Sequence, residues 1–363
     1  MTRRRSDHNI RCRSGSTVAR TRRCRMPNIG DVARHLGVSR STVSYALSGK
    51  RSISSEMKAR VQAAVRELEF YPSASGRALA TARTNTLALL APMAENATPE
   101  VALQFVSGVV QSARSFGYDI LLVTGEEAFT SIDRLDRARQ VDGFVILDVE
   151  DSDPRVLALQ ENGAACVLVG MPEGVTDLDR VDLDWREAGT SLLEALAGAG
   201  HRHVGLVGAP SVAYDLGMTY AARFRDGVAA AAQRMQVRVT EVPAHNDFFE
   251  TIATIRALLE TEAGITGLVI QHEAAVAPVF SALKTAGYEV PRDYSVVGMS
   301  IDKLGFQFAP PTSGIVNSST EITRQAVSLL IERLEDPALE ARSILISPEY
   351  RDLATVAPPR PTA

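Results

Sequence analysis

Residues 28–47 read NIGDVARHLGVSRSTVSYAL, and the order of caps, turns and apolar positions in this stretch decides the reading of the chain. Ile29, Val32, Ala33 and Leu36 recur at the spacing of one helical face, with Asn28 or Asp31 placed to satisfy the first free amides. Gly37-Val38 breaks that helix. Ser39 is placed to cap a second, short helix running to Leu47, whose Val43, Ala46 and Leu47 turn inward. Further on, Met57, Val61, Ala64, Val65 and Leu68 predict a third helix over 55–69. Two short helices joined by a tight glycine turn, with a third packed across them, make a helix-turn-helix arrangement, although any small three-helix bundle shares the outline. The outward face of the second helix narrows the choice, because Arg40, Ser41, Thr42, Ser44 and Tyr45 all carry hydrogen-bonding groups.

Around this stretch the charge is unevenly spread. The whole chain carries −4, yet residues 1–25 hold nine arginines against Asp7, and residues 26–85 hold nine basic and four acidic residues. Residues 86–363 are acidic by 17 charges. A basic module ahead of an acidic body suits a nucleic-acid reader joined to a second function. Residues 1–25 contain no apolar core of a secretory signal. Three readings stand for them: a disordered basic arm, a targeting extension, or a stretch upstream of a translation start at Met26. No run of about 18 apolar residues occurs, so no membrane span is expected, and the implied setting is cytoplasmic. Cys12, Cys24 and Cys166 stand at unrelated positions, giving neither a disulfide framework nor zinc spacing. No metal and no cofactor is expected.

Beyond residue 85, short apolar runs bounded by turn residues recur at 87–91, 119–123, 143–149, 166–170, 204–208, 237–242, 267–271 and 295–299. Amphipathic stretches lie between them, at 101–116, 186–199, 220–235, 249–262, 273–286 and 320–334. The alternation predicts an α/β body of parallel sheets covered on both faces, and eight strands suit two sheets better than one. Enzyme signatures are missing. Gly205-Leu-Val-Gly208 lies inside an apolar strand, no Walker loop or G-x-S-x-G elbow is present, and His201, His203 and His245 are scattered. Binding rather than catalysis is expected.

Residues 28–86, NIGDVARHLGVSRSTVSYALSGKRSISSEMKARVQAAVRELEFYPSASGRALATARTNT, resemble the headpiece and hinge of the LacI–GalR repressor family almost position for position. The resemblance implies a transcriptional regulator, a repressor, that binds a pseudo-palindromic double-stranded DNA operator as a homodimer. It places Arg40, Ser41 and Tyr45 at base-reading positions in the major groove, where an arginine fork on guanine is worth about 1–3 kcal/mol of discrimination. Ser39, Thr42, Ser44 and Arg51 become phosphate contacts. Ser73, Arg77, Leu79 and Ala80 fall in the hinge helix, which pairs over the minor groove with Leu79 as a wedge. So short a helix is marginal alone, and Gly76, where the family commonly has alanine, weakens it further.

For the body, the resemblance implies two lobes of the type I periplasmic-binding-protein kind, each a doubly wound parallel sheet, with a small-molecule effector in the cleft between them. The resulting division is a basic extension over 1–25, a headpiece over 26–71, a hinge and linker over 72–85, an effector and dimerisation domain over 86–356, and a tail over 357–363. The crossovers fall near Asp184, Ala309 and Leu339, giving a first lobe of 86–184 and 310–338 and a second of 185–309 and 339–356. Pocket positions carried over are Asp247, Phe248, Gln271, Ser300, Arg223 and Trp185, with Asp302 as a substitute acid. Several depart from the family pattern: Gln271-His272 stands for Asn-Asp, Ser300 for the acid that grips sugar hydroxyls, and Phe224 for the arginine before Gly227. A carbohydrate effector is the first expectation; a non-sugar metabolite or a partner protein acting as corepressor is the alternative. The C-terminus carries no leucine heptad, so a dimer rather than a tetramer is expected.

Overall fold

The computed structural model describes residues 27–48, 53–68, 70, 83–91, 99–125, 127–299, 311–316 and 318–360. Arg51, the hinge positions Ser73, Arg77, Leu79 and Ala80, the cleft positions Ser300 and Asp302, and the extension over 1–25 lie outside the described residues. The chain divides into two compact units, Met1–Ala82 and Arg83–Ala363.

In the first unit, helix α1 (Ile29–Leu36) opens with a capping box. The Asn28 side chain accepts from the Gly30 amide at 2.8 Å, and the Asp31 carboxylate accepts from the Asn28 amide at 2.8 Å. It ends at Gly37, whose φ of 67° lies in the left-handed region that glycine adopts without penalty. Helix α2 (Arg40–Ser48) follows after two residues, and α3 (Ser55–Glu67) is capped by Ser54. Val32, Ala33, Val43, Ala46, Val61 and Ala64 form the core and Phe70 closes it. Leu47 does not join them: it is exposed, and Phe70 supplies the bulk expected of it.

The second unit holds two six-stranded sheets. The first contains β1 (Thr86–Leu90), β2 (Asp119–Val123), β3 (Gly143–Ile146), β4 (Cys166–Val169), β5 (Asp179–Leu183) and a late arrival, β11 (Ser343–Ile346). Its order is β11-β5-β4-β3-β1-β2 and every pair is parallel. The second contains β6 (His203–Gly208), β7 (Arg238–Pro243), β8 (Gly267–Ile270), β9 (Ser295–Gly298), β10 (Ser313–Ile315) and β12 (Tyr350–Arg351), in the order β12-β10-β9-β8-β6-β7. Only β12 runs antiparallel to its neighbour. Strands β3, β8 and β9 are buried at every position, as continuous apolar runs between two helical layers should be.

The helices of the first lobe are α4 (Pro99–Ser115), α5 (Glu127–Arg137) and α6 (Pro154–Asn162). Those of the second are α7 (Trp185–Gly198), the short α8 (Ser211–Asp215), α9 (Thr219–Met235), α10 (Phe248–Thr261) and α11 (Val276–Thr285). Helix α12 (Ser319–Glu335) returns to the first lobe and packs on α4 so closely that a Cβ on Gly108 would stand 2.3 Å from Thr323 Oγ1. Helices α7 and α9 approach closer still, for a Cβ on Gly227 would lie 2.0 Å from the Arg186 carbonyl oxygen.

Two of the expected lobe boundaries are corrected. Residues 313–315 belong to the second sheet, where Ser313 Oγ donates to Asp352 at 2.9 Å and its amide to Thr355 Oγ1 at 2.9 Å. Residues 343–346 belong to the first, not the second. A buried ionic cluster holds them there: Asp179 accepts from the Arg342 amide at 2.9 Å, from Arg342 Nε at 3.2 Å and from Arg333 Nε at 3.1 Å. The lobes are therefore 86–183 with 319–346, and 185–315 with 350–360.

Candidate functional site

Two regions bring together the residues that the sequence singles out. The first is the start of α2. Ser39 Oγ accepts from the Thr42 amide at 3.1 Å and lies 2.7 Å from Ser41 Oγ and 2.8 Å from Thr42 Oγ1, so three hydroxyls cluster at the helix N-terminus. Amides left over at such a terminus favour an anionic oxygen. Arg40, Ser41 and Tyr45 are exposed, while Thr42 and Ser44 are half-buried. The Arg40 side chain lies over the first turn of α1, where a Cβ on Gly30 would come within 3.0 Å of its Nε.

The second region is a cavity of about 140 Å³ between the two lobes. It opens at the carboxyl ends of β3, β5, β6, β8 and β9, where parallel sheets leave room for a ligand. Asp148, Val149, Asp182, Leu183 and Phe105 line it from the first lobe. From the second come Trp185, Thr219, Tyr220, Gln271, His272, Glu273 and Met299. Trp185 and Tyr220 form one aromatic wall, their ring centroids 5.5 Å apart.

Of the carried-over pocket residues within the described chain, only Gln271 and Trp185 reach this cavity. Gln271 serves mainly as a brace: its Oε1 accepts from the Ala209 amide at 3.1 Å and the Tyr214 hydroxyl at 3.0 Å, and its Nε2 donates to the Ala221 carbonyl at 3.3 Å. Asp247 instead caps α10, accepting from the Phe249 and Glu250 amides at 2.8 Å each. That cap places Phe248 on the outer first turn, exposed and edge-on to Phe249 with ring centroids 5.6 Å apart. Arg223 does not line the cavity either. Its charge is felt at Asp182, but no hydrogen bond joins them.

Sequence reasoning missed Asp182, a strongly perturbed group of the cleft. Its Oδ1 accepts from Trp185 Nε1 at 2.9 Å and from the Leu183 amide at 2.8 Å, while its buried Oδ2 has no partner. Burial pushes this carboxyl up to about 7, against the pull of Trp185 and Arg223. Burial also raises Asp148 and lowers His272, whose Nε2 is a second buried atom without a partner. His272 is thus held neutral at physiological pH. Asp148 owes its place to a φ of 52° and to Arg155, which donates to its carbonyl at 2.7 Å from a fully buried ion pair with Asp153.

A backbone strap joins the lobes beside the cavity. The Asp151 amide donates to the Gly217 carbonyl at 2.9 Å, and the Thr219 amide donates to the Val149 carbonyl at 3.3 Å. Val149 and Thr219 are themselves cavity walls, so this contact borders the cavity. Among the described residues, no group of His, Cys, Asp or Glu is arranged to hold a metal, and no helix is long and apolar enough to cross a membrane.

The chain resembles known proteins along most of its length. A profile for bacterial regulatory proteins of the lacI family matches residues 28–73, and a periplasmic binding protein-like domain matches residues 193–352. The ribose operon repressor of Haemophilus influenzae is 28% identical over 331 residues, covering 89% of this chain and 96% of its own. A structure of the lac repressor dimer bound to operator and the anti-inducer ONPF superposes with a TM-score of 0.79 at 19% identity, covering 92% of this chain and 100% of that one. A transcriptional regulator CelR–cellobiose complex superposes with a TM-score of 0.66 at 23% identity, over 91% and 99% of the two chains.

Proposed function

The chain belongs to the LacI family of DNA-binding transcriptional regulators, and from that premise we propose that it is a repressor which binds a pseudo-palindromic operator as a homodimer and answers to a small molecule in the inter-lobe cleft. The observation that carries this reading is the exposed donor set of Arg40, Ser41 and Tyr45 on a short helix that follows a tight left-handed turn at Gly37. Those three residues read base edges in the major groove, and Ser39, Thr42, Ser44 and Arg51 fix the register on phosphates. Ser73, Arg77, Leu79 and Ala80 form the minor-groove hinge, with Leu79 as the wedge that opens the central step.

Dimerisation uses the first lobe. Exposed Leu103 and Phe116 on and after α4, with Leu121 and Leu122 on the edge strand β2, supply apolar surface for a second copy. The effector is a sugar, in keeping with the ribose operon repressor and the cellobiose complex among the similar proteins. Its binding changes the balance between lobe arrangements, and so the order of the hinge; moving that balance from 1:99 to 99:1 takes about 5.5 kcal/mol of differential affinity. The protein acts in the cytoplasm.

Selection from a random duplex library, at a stated salt concentration because phosphate contacts make affinity salt-dependent, tests the DNA reading. Recovery of a short palindrome with a deformable central step is expected. Recovery of no specific sequence by the dimeric protein would overturn it.

A further inference from the structure

The walls of the cleft are one-sided in charge. Asp148, Asp182 and Glu273 line it, and among the described residues no lysine or arginine does. An acidic wall alone is not a ligand site, but this one holds two buried polar atoms that lack partners, Asp182 Oδ2 and His272 Nε2. Each belongs to a side chain that is only 5% exposed. Ser131 Oγ and Arg223 Nε also lack partners, but only Asp182 and His272 belong to the cavity lining, where a ligand could relieve the cost of an unmade interior hydrogen bond.

What would satisfy them is constrained. In its ionised form the Asp182 carboxylate accepts only, so the ligand that best holds that form presents a donor at Oδ2. The neutral His272 imidazole supplies no charge to offset it. Arg223, whose charge is felt at Asp182, stands outside the lining without bonding it. An anionic ligand would meet three carboxylates and no lining cation. Beside a neutral ligand Asp182 can stay protonated and neutral, whereas an ammonium holds it ionised and makes the stronger, charge-assisted bond. The Trp185 and Tyr220 rings add an electron-rich face on which a cationic or ring-shaped ligand rests. Size sets the last limit, since a cavity of about 140 Å³, close to the roughly 150 Å³ that encloses one benzene, has no room for more than a single ring.

We propose that the cleft is selective for a single-ring amino sugar, with the protonated amine on Asp182 Oδ2, a ring hydroxyl on His272 Nε2 and the sugar face on Trp185. The proposal rests on the cleft being the effector site and names the class of effector that it takes.

Trp185 is the only tryptophan of the chain and lies in the cavity wall, so intrinsic emission of the full-length protein reports occupancy directly. The probes are glucosamine, galactosamine and mannosamine at neutral pH, their neutral parents, their N-acetyl derivatives and glucose 6-phosphate. At least one amino sugar is expected to bind about tenfold or more tighter than its neutral parent and its N-acetyl derivative, a difference one charge-assisted bond supplies. Asp182→Asn should abolish that preference. Equal or tighter binding of a neutral parent or of the phosphate overturns the amine assignment, while a change in operator affinity on sugar binding still upholds the cleft as effector site. A preference that persists in Asp182→Asn overturns the role given to Asp182. If no probe alters either Trp185 emission or operator affinity, the amino-sugar proposal and the sugar-effector reading fall together.

Discussion

Replacing Asp182 with asparagine separates the electrostatic cost of this carboxylate from its hydrogen bonds. The folded protein holds Asp182 at about 7, against an ordinary 3.8, chiefly through burial. Because the folded state favours the protonated form, it binds more protons than the unfolded chain between those two values. Stability therefore falls as pH rises through that window and levels off above about 7. About two units of the shift lie between about pH 5 and about pH 8, which is roughly 3 kcal/mol at 1.36 kcal/mol per unit. Asparagine keeps an acceptor for Trp185 Nε1 and the Leu183 amide but puts an NH2 group at the position of the unpartnered Oδ2. That unmet donor costs about 1–3 kcal/mol, and it costs the same at both pH values. The variant should thus gain roughly 3 kcal/mol relative to the wild type between about pH 5 and about pH 8. Urea unfolding of both proteins followed by circular dichroism measures the difference, and Asp148 and Glu150, also raised by burial, titrate alike in the two. A stability difference that is the same at both pH values would refute the argument, since Asp182 would then be ionised throughout.

Other consequences are open to direct measurement. Arg40→Ala should lose about 1–3 kcal/mol of discrimination at one operator position, with non-specific binding nearly unchanged; uniform weakening over singly substituted operators would reassign Arg40 to a phosphate. Gly227→Ala forces a methyl into the Arg186 carbonyl across the α7–α9 contact, and thermal unfolding of the second unit should show a loss of about 1–3 kcal/mol or more; unchanged stability would mean that the two helices separate freely. Phe248→Ala should leave effector affinity within about twofold, because the ring lies outside the cavity; a large loss measured by Trp185 emission would put Phe248 back in the site.

How much of this was legible depends on where each residue's partners lie. The headpiece could be read because its determinants are local: the Asn28 cap, the αL glycine at Gly37 and the apolar spacing all sit within one turn of the backbone they control. Strands such as β3 and β8 announced themselves as unbroken apolar runs. Strand β5 did not, because its sequence DRVDL reads as a loop until Asp179 is seen in its arginine cluster and Asp182 against Trp185. The three-residue β10 and the late β11 are fixed by long-range polar contacts that no period reveals, and the misplaced lobe boundaries follow from that.

The cleft was harder still. Asp148, Asp182, Tyr220 and His272 come from four separate segments, and only the stacking of two sheets brings them together. One signal was present: the positions just after the apolar strands 143–146 and 267–270 are Leu147-Asp148 and Gln271-His272, and the ends of parallel strands are where ligands bind. Family resemblance drew attention instead to Asp247 and Phe248, where a helix cap turns the aromatic ring outward.

The strap between residues 149–151 and 217–219 is made by amides and carbonyls alone. Replacing a side chain there does not by itself delete a main-chain bond. The walls of the cleft, by contrast, are side chains, each open to exchange by a single codon. Over evolutionary time the side chains that line the cleft can change while this backbone contact between the lobes is inherited unchanged. On the function proposed above, a descendant of this protein would then answer to a new metabolite through the same inter-lobe contact.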